Sequence, residues 1–240
     1  MSTELLLVGA RGLWEGLASV PVSFASDGAV RVVVSPASGL CPVGWVGVVR
    51  LGGSAIVTAP DGATAAIVRG ALAALPVAAV TDAGAVGGAL SPTRVLGPAA
   101  LAYVSADGFR PVDPGVLGVE QLPGAHPDLR ALGESAGEED GREADLEGIT
   151  SPAFAVREAG LVVAAAGYRA WPSRTAHLSV LTAPARRGRG LARAVGSAAV
   201  AHALAAGLLP QWRARPHASR QVARALGFRE LGAQLSFELA

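Results

Sequence analysis

Short apolar runs, cut by Gly, Pro and Ser, recur through the first 112 residues. Residues 29–35 (AVRVVVS), 44–51 (GWVGVVRL) and 54–59 (SAIVTA) are rich in β-branched side chains between turn formers, a pattern that predicts three strands. Ile67, Ala71 and Leu75 recur at helical spacing and Pro76 stops the run, so 63–75 reads as a helix. The apolar stretches 77–80 and 99–104 predict two further strands.

Pro111, Pro114 and a following acidic stretch mark the expected boundary between two units, 1–112 and 113–240. Beyond it, 127–132 opens like a short helix, and the polar, glycine-punctuated 133–148 reads as either a mobile loop or a loop with one helical turn. Residues 153–157 and 161–168 predict a hairpin that turns at Gly160, and 177–182 is the next strand. A Gly/Arg loop follows, then a helix over 191–206 stopped by Gly207, a strand over 208–215, a helix over 218–226 with Ser219 near its N-cap, and a last strand over 231–239. The interspersed strands and helices place the chain in the α/β class.

Composition removes several chemistries. All twenty basic residues are arginine, which excludes a P-loop lysine, a Schiff base and a Ser-Lys dyad. The single cysteine, Cys41, rules out an internal disulfide framework and reads as a small core residue rather than a nucleophile. No apolar run is long enough to span a membrane, and Met1-Ser2-Thr3-Glu4 lacks the basic flank of a signal peptide, so a cytoplasmic protein without a membrane partner is expected. Residues 113–150 hold ten acids against two arginines, a balance of −8, and 151–240 hold twelve arginines against three acids, a balance of +9. The basic segment suits a polyanion and the acidic one a cation. The arginines lack interleaved exposed aromatics, so nucleic acid is not the expected polyanion. His126, His177, His202 and His217 show no metal-ligand spacing, and no metal is expected.

The segment VLTAPARRGRGLA, 180–192, runs from a strand through glycines into the first turn of a helix. Glycines tolerate positive φ and expose main-chain N–H groups, the helix dipole adds positive potential, and Arg186, Arg187 and Arg189 surround the spot. This is the layout of a phosphate cradle. A dinucleotide fingerprint does not fit, because Arg193 stands where the third glycine would be.

Arg187-x-x-Gly190-x-Ala192, with Pro184 three residues earlier, resembles the Gln/Arg-x-x-Gly-x-Gly/Ala motif of the GNAT superfamily of N-acetyltransferases. Ser219 through Gly227-Phe228 resembles that superfamily's second motif, a Ser-led helix closed by Gly-Phe, and the likeness covers roughly 120–240. The first unit is a candidate for a diverged copy of the same fold. The resemblance implies an α+β fold with a mixed, mostly antiparallel sheet flanked by helices, and an acetyl-coenzyme A-dependent (or other short acyl-CoA) N-acetyltransferase. The main-chain groups of Leu181, Thr182 and Ala183 would meet the pantetheine arm. The amides from Arg187 through Gly188, Arg189, Gly190 and Leu191 to Ala192 would hold the pyrophosphate, with Ser219 also on the cofactor. The tyrosine such enzymes use as acid is replaced by Ala223, and their asparagine by Pro216.

His177 is the candidate base, with a half-buried structural histidine as the open alternative, and Glu138, Glu139 and Glu158 are reserve carboxylates. Tyr168, Trp171 and Trp212 line an acceptor pocket or belong to the core. The expected acceptor is a small-molecule or peptide amine, cationic if the acidic segment faces it, and a homodimer is kept as an expectation. The alternative is a protein that binds or senses acyl-CoA without turning it over.

Overall fold

Leu6, Ala10, Leu13 and Trp14 are buried along one side of helix α1 (Thr3–Leu17), a periodicity that marks a helix packed on a sheet. The computed structural model describes residues 3–26, 28–113 and 117–240; Pro114, half of the expected boundary signal, lies outside them. Two compact units result. The first holds the chain up to Ala102 together with 214–216 and 230–240, and the second holds 103–213 and 217–229.

In the first unit, α1 is followed by β1 (Val30–Val34), β2 (Val46–Leu51), β3 (Ser54–Ala59), α2 (Gly62–Leu72), α3 (Ala83–Leu90) and β4 (Arg94–Tyr103). The chain's last strand, β10 (Arg229–Glu238), returns to this unit, and the strand order is β1-β3-β2-β10-β4. β10 lies antiparallel to β2 from Gly232↔Leu51 to Phe237↔Val46. Val46, Val48, Val57, Val68, Leu72, Leu235 and Phe237 form the core between this sheet and α2.

Three expectations change here. Residues 77–79 form a 3-10 turn rather than a strand, because Pro76 enters it and Asp82, capping α3, closes it three residues beyond. Helices α1 and α3 were not foreseen; Gly84, Gly87 and Gly88 blur the second. The unit break at Ala102 precedes the expected 112, and 230–240 joins the earlier unit because β10 pairs with β2.

The second unit contains β5 (Glu120–Leu122), α4 (Pro127–Ala136), α5 (Glu138–Ala144), β6 (Ala153–Glu158), β7 (Leu161–Trp171), β8 (Thr175–Thr182), α6 (Leu191–Ala205), β9 (Leu209–Ala214) and α7 (His217–Ala225), with strands ordered β9-β8-β7-β6-β5. The acidic stretch expected as a loop, or as a loop with one helical turn, contains the seven-residue α5, whose first turn carries Glu138, Glu139 and Asp140 at the positive end of the helix dipole. Leu129, Leu132, Leu146, Ile149, Ala155, Val162 and Leu181 pack on one face of the sheet, while Val195, Ala199, Val200 and Ala203 bury the inner side of α6. β7 is buried on both faces by small residues, Ala164 to Gly167, and a Cβ on Gly167 would stand 2.6 Å from Ile149 Cδ1.

Both units carry a mixed, mostly antiparallel sheet flanked by helices, as the resemblance implies. The parallel pairings recorded are β1 with β3 and β8 with β9. Gly227 ends the helix expected at 218–226 with φ +93, and a Cβ there would lie 2.0 Å from Gly108 O, so only glycine fits. Phe228 beside it packs edge-on to Trp212 with centroids 5.5 Å apart. Among the described residues, no helix is long and apolar enough to cross a membrane.

Candidate functional site

The cradle segment leaves β8 through a 3-10 turn at Pro184–Arg186, held by Arg186 N–H to Ala183 O at 2.8 Å and Arg187 N–H to Pro184 O at 3.3 Å. Gly188 and Gly190 follow at φ +78 and +79, and α6 starts with Arg193 and Ala194 both donating to Gly190 O at 3.1 Å. Between those two sets of bonds, the amides of Gly188, Arg189, Gly190, Leu191 and Ala192 have no acceptor among the described residues. The Arg187 amide expected in this group is engaged with Pro184, so the run begins one residue later. A Cβ added at Gly188 or Gly190 meets nothing within 4 Å, and the approach to these amides is open.

Three other helix starts are closed by side chains, whereas the seven-residue α5 starts at Gly137 without one. Asp61 accepts from Thr64 N at 2.8 Å on α2, Asp82 from Ala85 N at 2.8 Å on α3, and His126 Nδ1 from Asp128 N at 3.3 Å on α4. Gly190 caps α6 without a side-chain bond. A five-amide run at the positive end of a 15-residue helix, with no cap of its own, is chemically an anion site.

The arginines around it are already engaged. Arg187 donates to Asp140 Oδ2 at 2.5 Å and to Thr182 O at 3.3 Å, which ties the strand end to α5. Arg186 Nε and Arg189 share Glu158, at 2.8 and 2.9 Å, and together they hold its carboxyl below the usual carboxylate range, Arg189 contributing most. Glu158 is therefore a clamp rather than a base. Replacing it with glutamine leaves the two guanidinium charges unneutralised beside the amides. CoA is then expected to bind about fivefold tighter at low salt, with a steeper salt dependence in calorimetry; weaker binding would show that the carboxylate orients the arginines productively.

β8 and β9 run parallel through Thr175↔Leu209, Ala176↔Pro210 and His177↔Gln211, and no pairing continues beyond. The edge of β8 from Leu178 to Thr182 thus parts from β9 on the way to the cradle. Of the three residues expected on the pantetheine arm, Leu181 is core under α4, Ala183 donates its N–H to Val163 O at 2.9 Å, and Thr182 keeps a buried Oγ1 without a hydrogen-bond partner among the described residues. An orphaned buried hydroxyl costs about 1–3 kcal/mol. Thr182→Val is expected to raise stability by about 1 kcal/mol in urea melts; if bound CoA gives that hydroxyl a partner, its affinity falls in the same variant.

His177 sits half-buried on β8. Its ring stacks on Trp171 at 4.1 Å between centroids and 7° between planes, and its Nδ1 lies 2.7 Å from Gln211 Oε1. Burial first, and then the Arg213 charge, lower its pKa to about 4, so the ring is neutral near pH 7. Gln211, missed in the sequence reading, is buried and donates from Nε2 to Tyr103 OH at 2.8 Å. A glutamine between Pro210 and Trp212 in a buried strand was the signal available.

The remaining candidates disperse. Ser219 is the third residue of α7, in its first turn, and its Oγ accepts from the Trp212 indole at 3.0 Å. Tyr168 is buried with its OH 2.9 Å from His202 Nδ1, and Trp212 is core. Glu138 pairs with Arg142, and Glu139 is exposed. Ala223, where the resemblance expects a tyrosine, is buried. The acidic segment turns inward: Glu120 and Asp128 pair with Arg157, Asp145 with Arg169 and Glu147 with Arg130.

Residues 152–233 match the family model described as GNAT acetyltransferase. No curated protein matches the chain. Among solved structures, the chain is similar to a GCN5-related N-acetyltransferase from Kribbella flavida, 19% identical with a TM-score of 0.48 and covering 65% of this chain and 63% of that one. It is similar to a GNAT-family acetyltransferase from Colwellia psychrerythraea, 17% identical, TM-score 0.44, covering 62% and 58%. A third is a phosphinothricin acetyltransferase from Sinorhizobium meliloti solved with acetyl-CoA, 21% identical, TM-score 0.37, covering 51% and 88%. The chain thus spans less than two thirds of the length of the first two. The segment 152–233, which carries the strand, the open cradle and the Gly-Phe close, is the part of the chain that matches the GNAT acetyltransferase family.

Proposed function

We propose that the second unit transfers an acetyl or other short acyl group from acetyl-CoA to an amine by direct attack, without a covalent enzyme intermediate. The observation that carries this reading is the run of five unpaired amides, 188–192, at the uncapped start of α6. Residues present fit the cofactor: the amides and the helix dipole suit a diphosphate, and the parted edge of β8 suits a pantetheine arm that bonds to main chain. When bound, acetyl-CoA supplies a thioester whose acyl carbon takes up the amine nitrogen while its sulfur departs as thiolate.

The chain's contribution is chiefly placement. Fixing donor and acceptor along one strand edge converts a bimolecular step into an effectively unimolecular one, worth several kcal/mol. His177, neutral and with Nε2 unpartnered among the described residues, is suited to accept a hydrogen bond from the amine or from a water that carries its proton away. Neither tyrosine serves as acid, since Tyr103 and Tyr168 are buried and hydrogen-bonded. The departing thiolate takes its proton from water.

The acceptor in this reading is a small-molecule or peptide amine. A cationic acceptor would have to be drawn by Glu134 and Glu139, exposed acids without an ion pair among the described residues. Thiol release from acetyl-CoA with a panel of amines tests the proposal. Sustained release supports transfer, and saturable calorimetric binding without release replaces it by an acyl-CoA sensor, which the buried Ala223 would favour.

A further inference from the structure

We propose that Gln211 is a positioning residue that, backed by Tyr103, holds His177 as its Nδ1–H tautomer and so presents the Nε2 lone pair to the acceptor amine. Only the use made of the lone pair rests on the transfer reading above; the tautomer is a property of this unit alone.

The polarity of the chain of hydrogen bonds follows from the orientation of the Gln211 carboxamide, with Oε1 toward His177 and Nε2 toward Tyr103. Gln211 Nε2 can only donate, and it donates to Tyr103 OH at 2.8 Å. Its Oε1 can only accept, and it faces His177 Nδ1 at 2.7 Å, so the imidazole proton resides on Nδ1. Gln211 and Tyr103 are both 0% exposed, so neither can trade its partner for solvent. A buried carboxamide that turned over would exchange both of its bonds at once. The stack on Trp171 fixes the ring plane from a third side, which leaves Nε2 as the ring's heteroatom without a partner among the described residues.

The charged groups near the ring keep it uncharged. Arg169 on β7 stands directly across from His177 in the antiparallel register, and Arg213 follows Gln211 by two residues on β9. Both disfavour a second ring proton, and burial disfavours it more. A neutral histidine has two tautomers of similar intrinsic energy, and the carboxamide selects between them.

Nitrogen-15 NMR on the full chain labelled at histidine reads the tautomer directly, with the His177 signals identified by their loss in His177→Gln. At pH 7 the expected pattern is a protonated Nδ1 and an unprotonated Nε2. Gln211→Met is expected to mix the tautomers and to lower kcat about tenfold, with KM for acetyl-CoA unchanged. Gln211→Glu keeps an acceptor at the same place, so it should retain the Nδ1–H form and move the His177 titration upward. Gln211→Glu also serves if the methionine variant does not fold. A protonated Nε2 in the parent protein, or an unchanged tautomer in Gln211→Met, overturns the assignment. If no amine is ever acetylated, the NMR outcome still decides the tautomer, so failure of the two readings is separable.

Discussion

Gly190→Asp is expected to weaken CoA binding by about a hundredfold or more while leaving the protein folded. The backbone at 190 is left-handed, with φ 79 and ψ 0, a region that aspartate enters at about 1–2 kcal/mol. No atom lies within 4 Å of the new Cβ, so the fold meets no collision. The added carboxylate stands at the start of α6 and offers the free amides an acceptor of their own, as Asp61 already does for Thr64 at the start of α2. It also opposes the ligand: one charge about 5 Å from a phosphate costs about 3 kcal/mol at an effective dielectric constant near 20. Calorimetry with CoA and a thermal melt on the same sample separate the two effects. Gly190→Asn, similar in shape without the charge, should lose only about tenfold. If Gly190→Asp binds CoA as the parent does, the diphosphate does not lie on these amides.

His177 should give the protein a pronounced acid sensitivity. Its pKa is about 4 in the folded state against 6.5 for a free imidazole. Above pH 6.5 the ring is neutral in both states and contributes no slope. As pH falls, the unfolded chain takes up the proton first, so the folded state loses stability between about pH 6.5 and 4, with a total of about 3 kcal/mol, and loses no more below that. His177→Gln removes the titrating group. Urea melts at pH 7 and pH 4.5 should therefore show a difference in the parent that shrinks by about 2–3 kcal/mol in the variant. Carboxylates that titrate over the same range act equally in both proteins and cancel in the comparison. Equal acid losses in the two would mean that the ring is protonated within the fold.

What could be read from sequence was local. The strand, glycines and helix start of the cradle lie within about a dozen residues, and each follows from neighbours alone, so the structure meets them nearly where the pattern puts them. Leu6, Ala10, Leu13 and Trp14 would have revealed α1 by the same periodicity. The uses of charge were not legible. Arg186 and Arg189 suggest anion binding when read with their neighbours, yet Glu158 lies 28 and 31 positions away, and Asp140 lies 47 from Arg187. The −8 and +9 segments answer each other through Arg157, Arg169 and Arg187. Their imbalance thus reports internal pairing before it reports any ligand. His177 and Gln211 are 34 positions apart and meet only because β8 and β9 run side by side. Acidic residues at 138–140 suggested a loop by composition, whereas their position at a helix start makes them favourable.

The return of β10 to the first unit sets an order on synthesis. A chain leaves the ribosome from its amino end, so β2 emerges long before its partner across Leu51 to Val46. Until residues 230–238 appear, the place that Leu235 and Phe237 fill in that core has no occupant. Every strand and helix of the second unit has been made by then. The unit translated before the other is thus the later to close, and its apolar sheet depends meanwhile on whatever keeps nascent chains from aggregating.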